Sequence, residues 1–332
     1  MASKIHPKYA SRTRPPVEPR KFDAVLFDID NVLVDTRRSY LEAIRYTVEI
    51  FLTHGDVPFF SKSSSGKMPE LLSTHDVEKF KMLGGFNDDW DCCYGILVYL
   101  LSLPVTNRTI EALKKASNFD KLVKSVKERP LKVSGITAIY GRPSTLVIEK
   151  VARIFQEVYL GKDIFPRLTH NKMRYWKKRG LIDREKPIFK SPLLQKIKDA
   201  GMKLGICTGR SSYEAAYALK AFGMDKLFDA ITTMDDVKQE ERLKRESLRK
   251  PHPFSLLKTT EKLGKKLHYL YVGDLPDDVL AANRAKKSVS ICSAAFPMMA
   301  ADPFRAQKEL EAAQPDYVLK SPSELFKILG IK

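Results

Sequence analysis

Two widely separated segments of this chain read alike, each an apolar run that stops at carboxylates: AVLFDID at residues 24–30 and YLYVGD at 269–274. Continuous apolar runs without polar alternation mark strands buried on both faces, as in parallel sheets covered by helices. KLGICTG at 203–209, FDAITT at 228–233 and SVSIC at 288–292 have the same character, and DYVLK at 316–320 is a weaker sixth. Helix-period segments fall between them at 192–200, 213–222, 254–263 and 278–285. This alternation predicts a doubly wound α/β core with a parallel, Rossmann-like sheet, which binds ligands beyond the carboxyl ends of its strands.

Residues 36–188 interrupt the alternation with helix-period segments at 40–52, 75–83, 91–103, 107–127 and 143–159. The expected organisation is therefore a core of residues 22–35 and 189–332, an α-helical insertion at 36–188, and a basic, disordered tail at 1–21. The tail has no apolar stretch of the signal-peptide kind, and Pro15, Pro16 and Pro19 oppose a stable helix. Mitochondrial import is the competing reading of that tail. The stretch SKSSSGK at 61–67 is expected to be an exposed loop. It is not a Walker phosphate loop, because Ser61 stands where the upstream glycine is required.

A formal charge of +18 would draw anions to this protein, whether phosphorylated metabolites, nucleic acid or acidic surfaces. The basic clusters at 172–179 (KMRYWKKR) and 242–250 match no nucleic-acid-binding pattern, so no sequence-specific nucleic acid partner is predicted. No apolar run reaches the length of a membrane span, which points to a soluble, cytoplasmic protein with no membrane partner. Cys92, Cys93, Cys207 and Cys292 show no metal-binding spacing and are expected to be reduced thiols. Nothing in the sequence sets an oligomeric state.

The chemistry concentrates at strand ends. Asp28 and Asp30 stand two apart at the end of a strand, which is expected to loosen there if both are to serve one site. Asn31, tolerant of unusual backbone angles, follows at the point where that turn is needed. Close carboxylates repel unless a cation or a proton neutralises them. Asp274 in GDLPDD adds an oxygen ligand of the hard type that magnesium prefers, with Asp277 and Asp278 close behind it. Thr208, Gly209 and Arg210 end another strand, and Lys250 in KPHP offers a cation before a helix. Carboxylates and metal on one side, with a hydroxyl and an ammonium on the other, suit a phosphoryl group in transfer.

Four motifs in order, DIDNV at 28–32, ICTGR at 206–210, KPHP at 250–253 and GDLPDD at 273–278, resemble the haloacid dehalogenase superfamily. The resemblance implies a magnesium-dependent phosphatase-like enzyme of its subfamily IA, with a helical cap of the first type inserted after the first strand. It makes Asp28 the nucleophile that becomes an aspartyl-phosphate and Asp30 the acid that protonates the leaving oxygen and then activates water. Mg2+ would be held by the Asp28 carboxylate, the Asp30 main-chain carbonyl and Asp274, with Asp277 or Asp278 supporting its shell. Thr208, Gly209 and Lys250 would bind the phosphoryl oxygens. The acid at Asp30 separates this chain from the dehalogenases, which lack it, and from the ion-pumping ATPases, which carry threonine. Asn31 departs from the more frequent glycine.

Specificity is expected in the insertion. GGFNDDW at 84–90 offers Asn87, Asp88 and Trp90 as substrate contacts, and it is similar to a stretch in a phosphatase-like subgroup of the family. Its two glycines serve equally well to end a helix, with Asp88 or Asp89 capping the next. Arg210 and Lys81 are each read either as a contact for substrate anions or as a solvated cation, and Trp176 as a packing anchor. The function that follows is hydrolysis of a small phosphomonoester from a phosphorylated metabolite. A phosphomutase or phosphotransferase, or a non-catalytic basic binding protein on the same fold, stand as alternatives.

Overall fold

The computed structural model describes residues 22–54, 59–62, 70–86, 89–126, 130–300 and 302–331. The expected tail, residues 63–67 of the expected loop, and Asn87 and Asp88 lie outside them.

The strands in chain order are β1 (Ala24–Phe27), β2 (Val34–Asp35), β3 (Lys186–Pro187), β4 (Lys203–Cys207), β5 (Ala230–Thr232), β6 (Tyr269–Gly273), β7 (Ile291–Ala295) and β8 (Tyr317–Val318). Six form one sheet in the order β5-β4-β1-β6-β7-β8, and every pairing in it is parallel. β1 sits between β4 and β6, so the apolar run at 24–27 has no polar face to show. Val25 and Phe27 pack into one cluster and Ala24 and Leu26 into another, on opposite sides of the sheet.

Among the described residues, seven α-helices lie between β2 and β3: α1 (Tyr40–Thr53), α2 (Thr74–Lys81), α3 (Asp89–Ser102), α4 (Ile110–Ala116), α5 (Phe119–Ser125), α6 (Lys132–Tyr140) and α7 (Ile148–Thr169). Seven follow: α8 (Ser191–Asp199), α9 (Ser212–Ala221), α10 (Met234–Lys244), α11 (Phe254–Leu263), α12 (Pro276–Ala285), α13 (Pro303–Ala312) and α14 (Pro322–Leu329). Leu194, Ala218 and Leu325 bring α8, α9 and α14 to the face of Val25, while Leu256, Leu263 and Ala281 bring α11 and α12 to the face of Ala24. The sheet is thus covered on both sides, the doubly wound arrangement that its apolar strands require.

The insertion builds an apolar cluster of its own, running from Ala43 to Ile182. The chain leaves the core along β2 and returns along β3, and these two linkers pair antiparallel, Val34 with Pro187 and Asp35 with Lys186. The segment expected as one helix at 107–127 is two, because Asn118 breaks it and caps α5, its side chain accepting from the Lys121 N–H at 2.8 Å. α6 is an element that the periodicity did not show. β7 starts three residues later than the run at 288–292 implied, since Ser288 and Val289 still bond back to Ala285 at the end of α12.

α7 is interrupted at Gly161, whose φ of 69° belongs to the left-handed region. A Cβ there would fall 1.9 Å from the Gly180 nitrogen, so only glycine allows the returning chain to cross at that point. No described helix is long and apolar enough to cross a membrane. All four cysteines are buried, unbridged thiols.

Candidate active site

The sheet ends its pairing in β1 at Phe27, yet the Asp28 N–H still donates to the Val272 carbonyl at 3.0 Å. The chain then turns tightly. Leu33 and Val34 both donate to the Ile29 carbonyl, at 3.0 and 2.9 Å, and Asn31 adopts a φ of 55°. The loosening required after Asp28 is therefore present, and Asn31 supplies the left-handed residue within it. Asn31 also does more than turn: its Nδ2 donates to Asp274 Oδ2 at 3.3 Å and its Oδ1 accepts from the Thr36 hydroxyl at 3.0 Å.

Asp28 follows β1, Asp274 follows β6, and Asp278 lies in the first turn of α12. One carboxylate oxygen from each comes within 4.8 Å of the other two. The first turn of α12 places Asp278 by a local bond, its Oδ2 accepting from the Leu275 N–H at 3.0 Å. The Tyr271 hydroxyl donates to its Oδ1 at 2.7 Å. Lys250 Nζ reaches two of these acids, 2.9 Å from Asp28 Oδ1 and 2.8 Å from Asp278 Oδ1.

Burial is the largest influence on Asp28 and raises its pKa; Lys250 opposes this, Asp278 and Asp30 reinforce it, and the carboxyl is pushed up to about 7. Asp274 is driven well above the carboxylate range by burial first and then by Asp278, Asp28 and Asp30. Burial alone would weaken the Lys250 ammonium, but Asp278 and Asp28 more than reverse this and hold it protonated. Two buried carboxylates and a half-buried third against one ammonium leave excess negative charge, and all of their ligand atoms are hard oxygens. That donor set fits a small divalent cation such as magnesium.

On the other side of β1, β4 ends at Cys207 and presents Thr208, whose N–H donates to the Thr232 carbonyl at 3.0 Å. The Thr208 hydroxyl oxygen is buried and accepts from the Arg210 N–H at 3.1 Å. A Cβ on Gly209 would meet only the Met234 methyl, at 3.9 Å, so this backbone borders open space. Thr208 thus follows β4, the neighbour of β1, while Lys250 reaches Asp28 from the turn that precedes α11.

A haloacid dehalogenase-like hydrolase model matches residues 22–286, which include all four motif segments. The chain belongs to the haloacid dehalogenase-like hydrolase family. Pyrophosphatase PpaX of Halalkalibacterium halodurans is 32% identical over 137 residues, 41% of this chain and 56% of that protein. Its counterpart in Bacillus mycoides is 32% identical over 139 residues, with the same coverage of both chains, 41% and 56%. The chain therefore spans little more than half the length of the curated relatives it matches. Among solved structures, phosphatase Tt82 from Thermococcus thioreducens superposes with a TM-score of 0.58 at 23% identity, covering 86% of this chain and 98% of its own. A phosphoglycolate phosphatase, so described provisionally, from Lactobacillus delbrueckii subsp. bulgaricus gives 0.53 at 15% identity, with coverage of 93% and 99%. These two share the fold.

Within this haloacid dehalogenase-like hydrolase, the residues singled out in the sequence take the following places. Asp278, rather than Asp277, joins the carboxylate group, because the helical turn directs it back under Gly273. The Asp30 carboxylate stays outside that group and is paired with Arg210. Arg210 is not solvated: its side chain is fully buried between Asp30 and Glu185. Lys81 is likewise engaged, 2.7 Å from Asp89.

Trp90 is half-buried against the apolar cluster of the insertion, while Asn87 and Asp88 fall outside the described residues. Gly84 and Gly85 have φ of 77° and 78°, and a Cβ on Gly85 would fall 2.5 Å from Lys132 Cγ, so they follow α2 and let the chain at Pro130 and Lys132 pack close. Trp176 is the packing anchor expected of it, buried edge-on against Tyr46 with its indole N–H donating to the Arg179 carbonyl at 2.9 Å. Glu185, Tyr271 and the side-chain role of Asn31 had no signal of their own in the sequence. Glu185 lies in an unremarkable run, DREKP, and gains its place only because the insertion returns to the core there.

Proposed function

We propose that this haloacid dehalogenase-like hydrolase is a magnesium-dependent phosphatase that cleaves a small phosphomonoester through an aspartyl-phosphate on Asp28. The observation that carries this reading is the buried meeting of Asp28, Asp274 and Asp278 with Lys250 at the carboxyl edge of the sheet. The phosphatase names of several relatives and neighbours agree with it, and they put pyrophosphate and phosphoglycolate among the first compounds to try.

In this mechanism an Asp28 carboxylate oxygen attacks phosphorus while Lys250 and Thr208 hold the phosphoryl oxygens. Asp30 gives its proton to the departing oxygen. It then takes a proton from the water that cleaves the aspartyl-phosphate, which restores Asp28 and releases phosphate. Asp28, Asp274 and the Asp30 carbonyl would hold magnesium, with Asp278 in support, and the ion supplies positive charge to the phosphoryl oxygens. The helical insertion at 36–188 acts as a cap that excludes bulk water and carries specificity.

The test is phosphate release from a panel of phosphorylated sugars, nucleotides, small acids and pyrophosphate, with and without magnesium, for the intact protein and Asp28→Asn. Magnesium-dependent release that the substitution removes supports the mechanism. Release that survives in Asp28→Asn, or its absence across the panel, refutes it.

A further inference from the structure

Arg210 leaves the end of β4 and inserts its guanidinium, with no side-chain exposure, between two acids distant in sequence. Its Nε donates to Asp30 Oδ1 at 2.8 Å, and Nη2 approaches the same oxygen at 2.7 Å without a hydrogen-bonding angle. Nη1 donates to Glu185 Oε2 at 2.9 Å. The other oxygen of Glu185 accepts from Ser39 Oγ at 2.9 Å and from the Tyr159 hydroxyl at 3.0 Å. Ser39 precedes α1, Tyr159 belongs to α7, and Glu185 immediately precedes β3. Tyr40 completes the enclosure, stacked on Tyr159 with ring centroids 4.7 Å apart. One guanidinium therefore links the core, the turn after β1, and both ends of the insertion.

Both contacts to Asp30 use Oδ1. Among the described residues Oδ2 accepts no hydrogen bond, and the Asp30 side chain keeps 29% of its exposure. The carboxylate is thus held by one oxygen and open at the other. An acid on a turn has several rotamers, and proton transfer needs one of them aimed at the reacting oxygen. A buried ion pair is a poor way to gain stability, since apolar residues of similar size often serve as well. Its contribution here is orientation.

We propose that Arg210 and Glu185 are positioning residues that hold the Asp30 carboxylate for proton transfer and tie its orientation to the helical insertion. This rests on the phosphatase reading above. In the step concerned, the Asp28–phosphorus bond forms as the phosphorus–oxygen ester bond breaks, and the Asp30 proton passes to the departing oxygen. A leaving group that is stable as an anion needs no such proton, so in kcat/KM, which ends at the first irreversible step and omits aspartyl-phosphate hydrolysis, loss of positioning will show on basic leaving groups alone.

The experiment compares kcat/KM for p-nitrophenyl phosphate and for the best alkyl phosphate of the panel, in the intact protein, Arg210→Lys, Glu185→Gln and the double variant Arg210→Met with Glu185→Leu. The double variant removes the buried charges together, so it remains folded where Arg210→Met alone leaves Glu185 unpaired. The expected result is a loss of about 100-fold on the alkyl ester, the scale of general acid catalysis, against less than about threefold on p-nitrophenyl phosphate. Equal losses on both esters, or none, overturn the proposal.

A crystal structure of Arg210→Lys gives a readout independent of turnover. Asp30 is expected to leave its wild-type rotamer, and an unchanged Asp30 overturns the anchoring. If the intact protein cleaves neither ester, the phosphatase reading fails on that result, while the crystal structure still decides whether Arg210 holds Asp30.

Discussion

Gly273 and Asp278 pack so closely that a Cβ added to the glycine would lie 2.3 Å from the Asp278 Cβ and 2.8 Å from its Oδ2. No side chain fits between the last residue of β6 and the first turn of α12. The approach brings Asp278 beneath the strand end, where Tyr271 and Lys250 both reach it. Gly273→Ala must push α12 away. The expected outcome is a loss of about 1–3 kcal/mol in urea unfolding, as for overpacked cores, together with weaker magnesium binding. Unchanged stability and magnesium titration would show that the turn relaxes freely.

The raised pKa of Asp28 makes metal-free stability depend on pH. Folding lifts this carboxyl from 3.8 to about 7, so between those values the native state holds a proton that the unfolded chain has released. Its stabilising contribution is full below the unfolded value and is lost as pH rises through about 7. Magnesium requires the ionised form, so the melting temperature gained on adding it should be larger at about pH 8 than at about pH 6. A gain that is the same at both, or larger at the lower pH, would refute this account of the carboxylate group.

Lys250 is the shared countercharge of Asp28 and Asp278. Lys250→Met leaves the buried acids with no ammonium, so the metal-free protein should melt lower and recover more on adding magnesium than the intact protein does. Turnover with saturating magnesium should fall by about 100-fold or more, because a charge aimed at the phosphoryl oxygens is lost. Normal turnover in a folded Lys250→Met variant would remove Lys250 from the mechanism.

The basic cluster at 172–179 is held from beneath by one acid. Glu157, fully buried in α7, accepts N–H bonds from Arg174, Tyr175 and Trp176 at 2.9, 2.7 and 3.1 Å, and Arg153 Nε donates to its other oxygen at 3.0 Å. Glu157→Ala orphans three backbone donors and should cost about 3 kcal/mol or more, with Glu157→Gln intermediate, by chemical denaturation. A cost under about 1 kcal/mol for the alanine variant would show that water replaces the carboxylate.

Much of the core was legible because its signals are local. Residues 254–263 form α11 with the predicted bounds, three of the four motifs begin at strand ends, and KPHP stands just before α11, since buried strands need consecutive apolar residues and helix starts carry their own local signals. The insertion was legible as helical but not in its divisions. Asn118 in a helix-period run reads as surface, but it caps α5, whose Phe119 and Leu122 are buried in the apolar cluster of the insertion.

Arg210 is the plainest misreading. By composition it is a surface cation beside a phosphate motif, but its partners Asp30 and Glu185 lie 180 and 25 residues away. Local sequence determined which residues could end the strands, acids and a threonine, and which lysine could stand before a helix, in four short motifs. Which of those acids meet was decided by the tertiary structure. The parallel order β4-β1-β6 brings Asp28 between Thr208 and Asp274, Gly273 admits Asp278 in place of Asp277, and the return of the insertion delivers Glu185 to Arg210. Charge pairing in a buried site depends on distance through space, and distance along the chain does not encode it.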